Sequence, residues 1–452
     1  MRRIFQLLYT ASVLCSLLGI LSSAFAQPLV TGYWADWTAA TLAPEGIDFH
    51  RFDIINFAFG IPTASYDISF NSDASTGLLQ RLVAAALAAN TQTRVVLSLG
   101  GWYSSQQFSG AVATETSRST FAQNIFKILQ QYKLDGVDLD WEYPGSLGAG
   151  NPFTGADAAN FQTFLTLLRT TLGPNAIITA TVSHELWNGT DQTPIKDVSQ
   201  AAKALDAVLI MNYDVSVGAV GVNAPLGDFC GNSSQPHANA VAGVKQWVEG
   251  GMPKNKILLG VPAYGYVAMS SAMTMPQRRG MMEDPSLVQR QPLSPADAMR
   301  LNATADTNDL TSGDVLDASI QYSPSLKDDN PLSTYLLSRR TEQIRRQMAT
   351  SGSQINFNDM IKQGILVPGP SSGPAYVAGS ASGYTRNWDA CSDTPYLANG
   401  QKLISYDDPQ SLKDKGAFAL QAGLAGVGIW SVDADTSDWA LTTAVSQGLG
   451  RH

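Results

Sequence analysis

Three cysteines and four histidines are all that 452 residues hold of the side chains that most often bind transition metals. Cys15 lies in the apolar amino-terminal run, and neither Cys230 nor Cys391 has a second Cys or a His at ligand spacing, so no metal site is expected. The histidines stand apart at positions 50, 184, 237 and 452, and no Gly-rich loop ending in Lys-Ser or Lys-Thr is present to hold a nucleotide. No cofactor is therefore expected. Positive charge is scarce too, with 29 Lys and Arg against 38 Asp and Glu, a formal net charge of −9. That balance argues against nucleic acid and anionic membranes as partners and leaves a neutral polymer acceptable. Beyond residue 26 no apolar run is long enough to span a bilayer.

The first 26 residues are the exception. Arg2 and Arg3 precede an apolar run from Ile4 to Leu21, and Ala24-Phe25-Ala26 offers a small-residue cleavage site before Gln27. The competing reading, a membrane anchor, is disfavoured by that site. Removal of residues 1–26 takes away two Arg and no acid, so the charge becomes −9 − 2 = −11. A secreted, extracellular, monomeric protein with no membrane attachment after cleavage is expected. In an oxidising compartment the two remaining cysteines, Cys230 and Cys391, are expected to form a disulfide. Asn188-Gly-Thr, Asn232-Ser-Ser and Asn302-Ala-Thr are candidate N-glycosylation sites.

Apolar, strand-like runs alternate with helix-period stretches, the pattern of a parallel α/β fold. Segments 29–34, 53–59, 94–101, 176–183, 207–213, 257–264 and 426–432 read as strands. The acidic run from Asp135 makes eight. Leu78, Leu79, Leu82, Val83, Ala86 and Leu87 recur at helical spacing, as do Phe121, Ile125, Ile128 and Leu129. Eight strands with eight crossovers predict a (β/α)8 barrel over 27–450, interrupted between strands seven and eight by an insertion at about 267–400. Within it, 269–323 reads as surface loop, 334–349 as helix, 367–383 as loop, and 384–396 as an aromatic cluster around Cys391.

The chemistry concentrates in Asp135-Gly136-Val137-Asp138-Leu139-Asp140-Trp141-Glu142-Tyr143-Pro144. On an extended strand Asp138, Asp140 and Glu142 share one face, and Val137, Leu139 and Trp141 the other. A solvated edge strand would not carry that apolar face, and a calcium loop would need a different ring of oxygen ligands. Three crowded acids beside a strand end suit acid–base chemistry, with Asp140 expected to raise the pKa of Glu142 and set an optimum on the acid side of neutral. Barrel enzymes act at the carboxyl ends of their strands, where Trp102, Tyr213, Asp214, Tyr264 and Trp430 also fall, and flat aromatic faces suit stacking on sugar rings.

Asp135, Asp138, Asp140 and Glu142 together resemble the DxxDxDxE signature of family 18 glycoside hydrolases, and the chain is similar to secreted fungal-type chitinases. The resemblance implies that Glu142 protonates the glycosidic oxygen. It also implies that Asp140 orients the substrate's own N-acetyl group, whose oxygen attacks the anomeric carbon. Residues two apart on one strand approach a sugar from the same side, so Asp140 is poorly placed as a conventional nucleophile. Ser98-Leu99-Gly100-Gly101 looks like the SxGG strand, implying that Ser98, with Tyr33, holds the buried Asp138. Met211-Asn212-Tyr213-Asp214 looks like the MxYD motif, in which Tyr213 grips the acetamide and Asp214 contacts the sugar. Trp430 is implied as the floor under the scissile sugar, and Tyr264 as a residue lining the cleft.

These readings lead to a chitinase that cleaves β-1,4-linked N-acetylglucosamine polymers with retention, its partner being chitin or chitooligosaccharides. An endo-β-N-acetylglucosaminidase acting on N-glycans shares the acidic signature, and a non-catalytic chitin-binding lectin shares the fold. The aromatic strand ends and Trp141-Glu142-Tyr143-Pro144 favour the first over the second. Retention of Glu142 favours an enzyme over the lectin.

Overall fold

A computed structural model describes residues 27–217, 220–275 and 353–451. The amino-terminal apolar run, Asn302 and the helix expected at 334–349 lie outside the described residues, as does most of 269–323. Sixteen strands are described: β1 (Leu29–Ala35), β2 (Ile54–Pro62), β3 (Ile68–Phe70), β4 (Arg94–Gly100), β5 (Gly136–Asp140), β6 (Ile177–Val182), β7 (Ala207–Met211), β8 (Ile257–Pro262), β9 (Tyr264–Met269), β10 (Ser353–Asn356), β11 (Leu366–Pro368), β12 (Tyr376–Ala378), β13 (Thr385–Asp389), β14 (Thr394–Ala398), β15 (Lys402–Ser405) and β16 (Gly426–Trp430). The helices are α1 (Asp73–Ala88), α2 (Phe108–Ala113), α3 (Glu115–Tyr132), α4 (Asp157–Leu172), α5 (Ser199–Ala204), α6 (Ala240–Glu249), α7 (Phe357–Lys362), α8 (Pro409–Ala422) and α9 (Ala440–Gly448).

Parallel pairing runs β1-β2-β4-β5-β6-β7-β8-β16 and returns from β16 to β1, which closes the expected eight-stranded barrel. Helices cover it because their apolar stripes are buried there. Phe121, Ile125 and Leu129 of α3 and Leu79, Leu82 and Ala86 of α1 are all enclosed, whereas Leu87 is 73% exposed and lies off the stripe. Thr114 caps α3 by accepting from Ser117 N, and Asp408 caps α8 ahead of Pro409. The first crossover departs from the expected pattern. Residues 36–51 carry three 3-10 turns and no α-helix, one of them the Pro44–Gly46 turn, where a proline starts the turn and a glycine ends it.

One device recurs at the amino ends of the strands. Asp53, Asp135 and Asp206 each stand just before a strand, and their carboxylates accept from Val30 N (2.7 Å), Val95 N (2.8 Å) and Ile178 N (2.8 Å) of the neighbouring strand. Each also pairs with an arginine, Arg451, Arg94 and Arg169 respectively. Asp135 thus secures the start of β5 at the amino-terminal end of the barrel. Gly136 follows because a Cβ there would meet Ile177 O at 2.1 Å.

The insertion contains a five-stranded antiparallel sheet in the order β10-β9-β15-β14-β13, with α7 beside it and a β11–β12 hairpin. Its edges differ from the sequence reading. The seventh barrel strand ends at Pro262, and Tyr264 already belongs to β9 of the inserted sheet. Segment 367–383 contains paired strand where loop was expected, and the aromatic cluster at 384–396 forms β13 and the start of β14. Cys230 and Cys391 are bridged, with Cα atoms 5.1 Å apart, tying the loop after β7 to the β13–β14 turn.

Candidate active site

The cleft begins with β5, whose alternation places Val137, Leu139 and Trp141 in the outer core and turns the acids to the barrel interior. Trp141 is 1% exposed and stacks on Phe108 with centroids 5.4 Å apart. Asp138, Asp140 and Glu142 are all buried, but their surroundings differ.

Asp138 is ringed by hydroxyls. Ser98 Oγ donates to Oδ2 at 2.7 Å, Thr179 Oγ1 to Oδ1 at 2.7 Å, and Tyr33 OH and Thr181 Oγ1 approach Oδ2 at 3.1 Å each. Burial still raises its pKa, outweighing the hydroxyls that favour the ionised form. Asp140 has no such ring, and its Oδ1 is buried with no hydrogen-bond partner among the described residues. Burial first, then the charges of Glu142 and Asp138, push its carboxyl well above the usual range.

Glu142 lies two residues past the end of β5 and is pushed up to about 7. The cause differs in part from the crowding by Asp140 that the spacing suggests. Burial comes first, and the neighbour whose charge adds to it is Asp214, while the Tyr143 hydroxyl pulls the other way. The Asp140 charge is itself suppressed, since two buried carboxyls this close resist simultaneous ionisation.

Across the cleft, Tyr213 and Asp214 follow β7. Burial and the nearby Asp140 keep the Tyr213 phenol protonated, so it can only donate when it meets a carbonyl oxygen. Asp214 adopts a left-handed conformation (φ +60°), and its Oδ1 accepts from Tyr264 OH (2.5 Å) and Tyr266 OH (2.8 Å). Tyr264 is only 3% exposed, so it reaches the cleft through Asp214 and presents little surface of its own. Met211 is half-buried against the cluster of Tyr33, Ala207, Leu209 and Leu258 inside the barrel.

Trp430 closes β16 within an aromatic cluster. Phe59 stacks on it at 5.6 Å, Tyr33 meets it edge-on at 5.5 Å, and Trp37, 58% exposed, lies 6.4 Å away. Trp102 packs against Tyr143 at 6.4 Å, and its Nε1 is buried without a partner among the described residues. Asn188 and Asn232 are half-buried, outside this constellation.

The structure therefore gathers Glu142, Asp140, Asp138, Tyr213, Asp214, Tyr33, Ser98, Trp102, Tyr264, Met211 and Trp430 at one end of the barrel and leaves Asp135 at the other. Thr179, Thr181, Tyr266 and Trp37 were not anticipated. The threonines had a signal, because alternation in Ile177-Ile178-Thr179-Ala180-Thr181-Val182 puts both on one face of the strand beside β5. Among the described residues no group of three His, Cys, Asp or Glu side chains is arranged to hold a metal ion.

Residues 29–435 match the glycosyl hydrolases family 18. The chain belongs to that family. Among its relatives, a "chitinase-like effector" of Moniliophthora perniciosa is 30% identical over 430 residues, covering 93% of this chain and 87% of the relative. A "probable endochitinase" of Caenorhabditis elegans is 26% identical, covering 92% of this chain and 57% of the relative. Among solved structures, a chitinase from Rhizomucor miehei is 26% identical with a TM-score of 0.68, covering 93% of this chain and 99% of that one.

Proposed function

We propose that this family 18 protein is a secreted chitinase that cleaves β-1,4-linked N-acetylglucosamine chains with retention, the substrate's acetamide acting as the nucleophile. The observation that supports it most is the unequal treatment of three acids on one face. Asp138 is enclosed by hydroxyls, Asp140 keeps an oxygen without a partner, and Glu142 holds its proton up to about neutral pH.

Each has a step. Glu142 gives its proton to the glycosidic oxygen as that bond breaks. The acetamide oxygen bonds to the anomeric carbon, forming a protonated oxazoline, while Asp140 Oδ1, without a partner among the described residues, accepts from the acetamide N–H and orients it. Tyr213 donates to the acetamide oxygen and aligns it. Water, deprotonated by the Glu142 carboxylate, then opens the oxazoline from the same face that the leaving sugar occupied. Two inversions give net retention.

Such a mechanism requires a 2-acetamido group at the cleaved sugar. Acetylated and fully deacetylated hexamers offered side by side test it. Cleavage of the acetylated chain alone supports the reading, and comparable cleavage of both contradicts it. Digestion of a glycoprotein in parallel with colloidal chitin separates this activity from glycan release.

A binding-only reading has one observation in its favour, that relatives of this chain carry the name "chitinase-like effector". It is weighed against by the complete set Asp138, Asp140, Glu142 and Tyr213. Secretion is tested by amino-terminal sequencing of protein from culture medium, where Gln27 is the expected first residue.

A further inference from the structure

Glu142 stands beyond the β5 ladder, yet both of its backbone polar groups are held by side chains. Its N–H donates to Ser105 Oγ at 3.0 Å, and Asn151 Nδ2 donates to its carbonyl oxygen at 3.0 Å. Both side chains are buried, Ser105 completely and Asn151 with 2% of its surface exposed.

The two holders come from different loops and are themselves fixed. Ser105, in the loop after β4, directs its hydroxyl proton to the ends of the flanking strands, at Gly101 O (2.9 Å) or Asp140 O (3.2 Å). Asn151 closes a turn in which Gly150 N and Asn151 N both donate to Leu147 O, at 2.9 and 2.7 Å. Gly148 in that turn lies against the Glu142 carbonyl, where a Cβ would stand 2.1 Å from the oxygen. The loop is anchored beyond the turn by the fully buried Asp157, which accepts from Ser109 Oγ (2.7 Å), Thr154 N (2.9 Å) and Thr154 Oγ1 (2.8 Å).

Peptide groups are planar, so holding the N–H on one side of a residue and the C=O on the other fixes both of its soft dihedrals. The direction of the Glu142 Cα–Cβ bond follows. We infer that Ser105 and Asn151 are positioning residues, a two-sided backbone clamp that sets where the Glu142 carboxyl stands over the cleft. This rests on the assignment of Glu142 as the general acid. Neither residue touches the reacting atoms.

The test compares wild type, Ser105→Ala, Ser105→Thr and Asn151→Ala on chitin oligosaccharides, with kcat per folded molecule and KM measured separately and each variant's crystal structure solved. A misplacement on the order of 1 Å can cost about 100-fold in rate. We expect the two alanine variants to lose roughly 10- to 100-fold in kcat with KM within about twofold, and the Glu142 carboxyl to shift by about that distance. Ser105→Thr, which keeps the hydroxyl, should recover most of the rate. Should Ser105→Ala fail to fold, Asn151→Ala carries the comparison. Wild-type kcat per folded molecule in the alanine variants, or an unmoved carboxyl, overturns the clamp. Absence of turnover in the wild type would instead overturn the catalytic assignment, and the crystal structures would still decide whether the clamp holds.

Discussion

Asp138, Asp140 and Glu142 share a face, and their neighbours give each a different environment. With Glu142 pushed up to about 7, the proposed role as general acid predicts kcat/KM flat on the acid side of that value and falling above it, as the carboxyl loses its proton. A profile that climbs through pH 8 contradicts this. Asp214 contributes to the raised value through its negative charge, so Asp214→Asn should make Glu142 ionise more easily and move the alkaline limb to lower pH. An unmoved limb would remove Asp214 from the electrostatics of the acid. Thr181 bridges Asp138 and Tyr33, and Thr181→Val should destabilise the fold by about 1–3 kcal/mol by leaving both with fewer partners, read as a lowered denaturation midpoint. The acids were legible from spacing alone because alternation on a strand fixes which residues share a face. Thr181 and Thr179 were not singled out, because their role depends on the register between β5 and β6, which no local pattern states.

Among the elements, the inserted sheet carries more of the site than its distance in sequence suggests. Tyr264 and Tyr266 on β9 hold Asp214, and Asn223 in the loop after β7 accepts from Asp214 N at 3.0 Å while donating to Tyr264 O at 3.2 Å. That loop is docked further by Leu226 N and Phe229 N, which donate to Ser392 O and Cys391 O beside the disulfide. Replacing both Cys230 and Cys391 by Ser should cost about 2–4 kcal/mol of stability, since the bridge closes a 161-residue separation, and calorimetry should show a lower Tm. An unchanged Tm would mean that the backbone contacts alone hold the loop. The end of the seventh barrel strand is not legible in the sequence because 257–264 is one continuous apolar and aromatic run. Only the pairing partners reveal that β8 joins the barrel and β9 the antiparallel sheet. The pairing of β9 with β10 and β15, segments more than 80 residues away, leaves no periodic trace in the chain.

For the whole molecule, the barrel is legible because seven short apolar runs and one acidic run recur between amphipathic stretches, and closure leaves few other ways to bury them all. The bottom ring of Asp53, Asp135 and Asp206 was not, and it explains why Asp135 belongs to the acidic signature in sequence but stands away from the chemistry in space. The surplus of acids over bases fits recognition of an uncharged polymer through aromatic faces and hydrogen bonds. Oligosaccharide affinity should therefore change less than about twofold between low and high salt, whereas a steep salt dependence would indicate an ionic partner. Whether Glu142 is an acid that works with the substrate's own acetamide decides the proposed function. Time-resolved product release from chitin oligosaccharides by wild type and Glu142→Gln, with the anomers read by NMR, tests this most directly. β product is expected first from the wild type, with a loss of several orders of magnitude in the variant. Initial α product, or turnover that survives in Glu142→Gln, would contradict it.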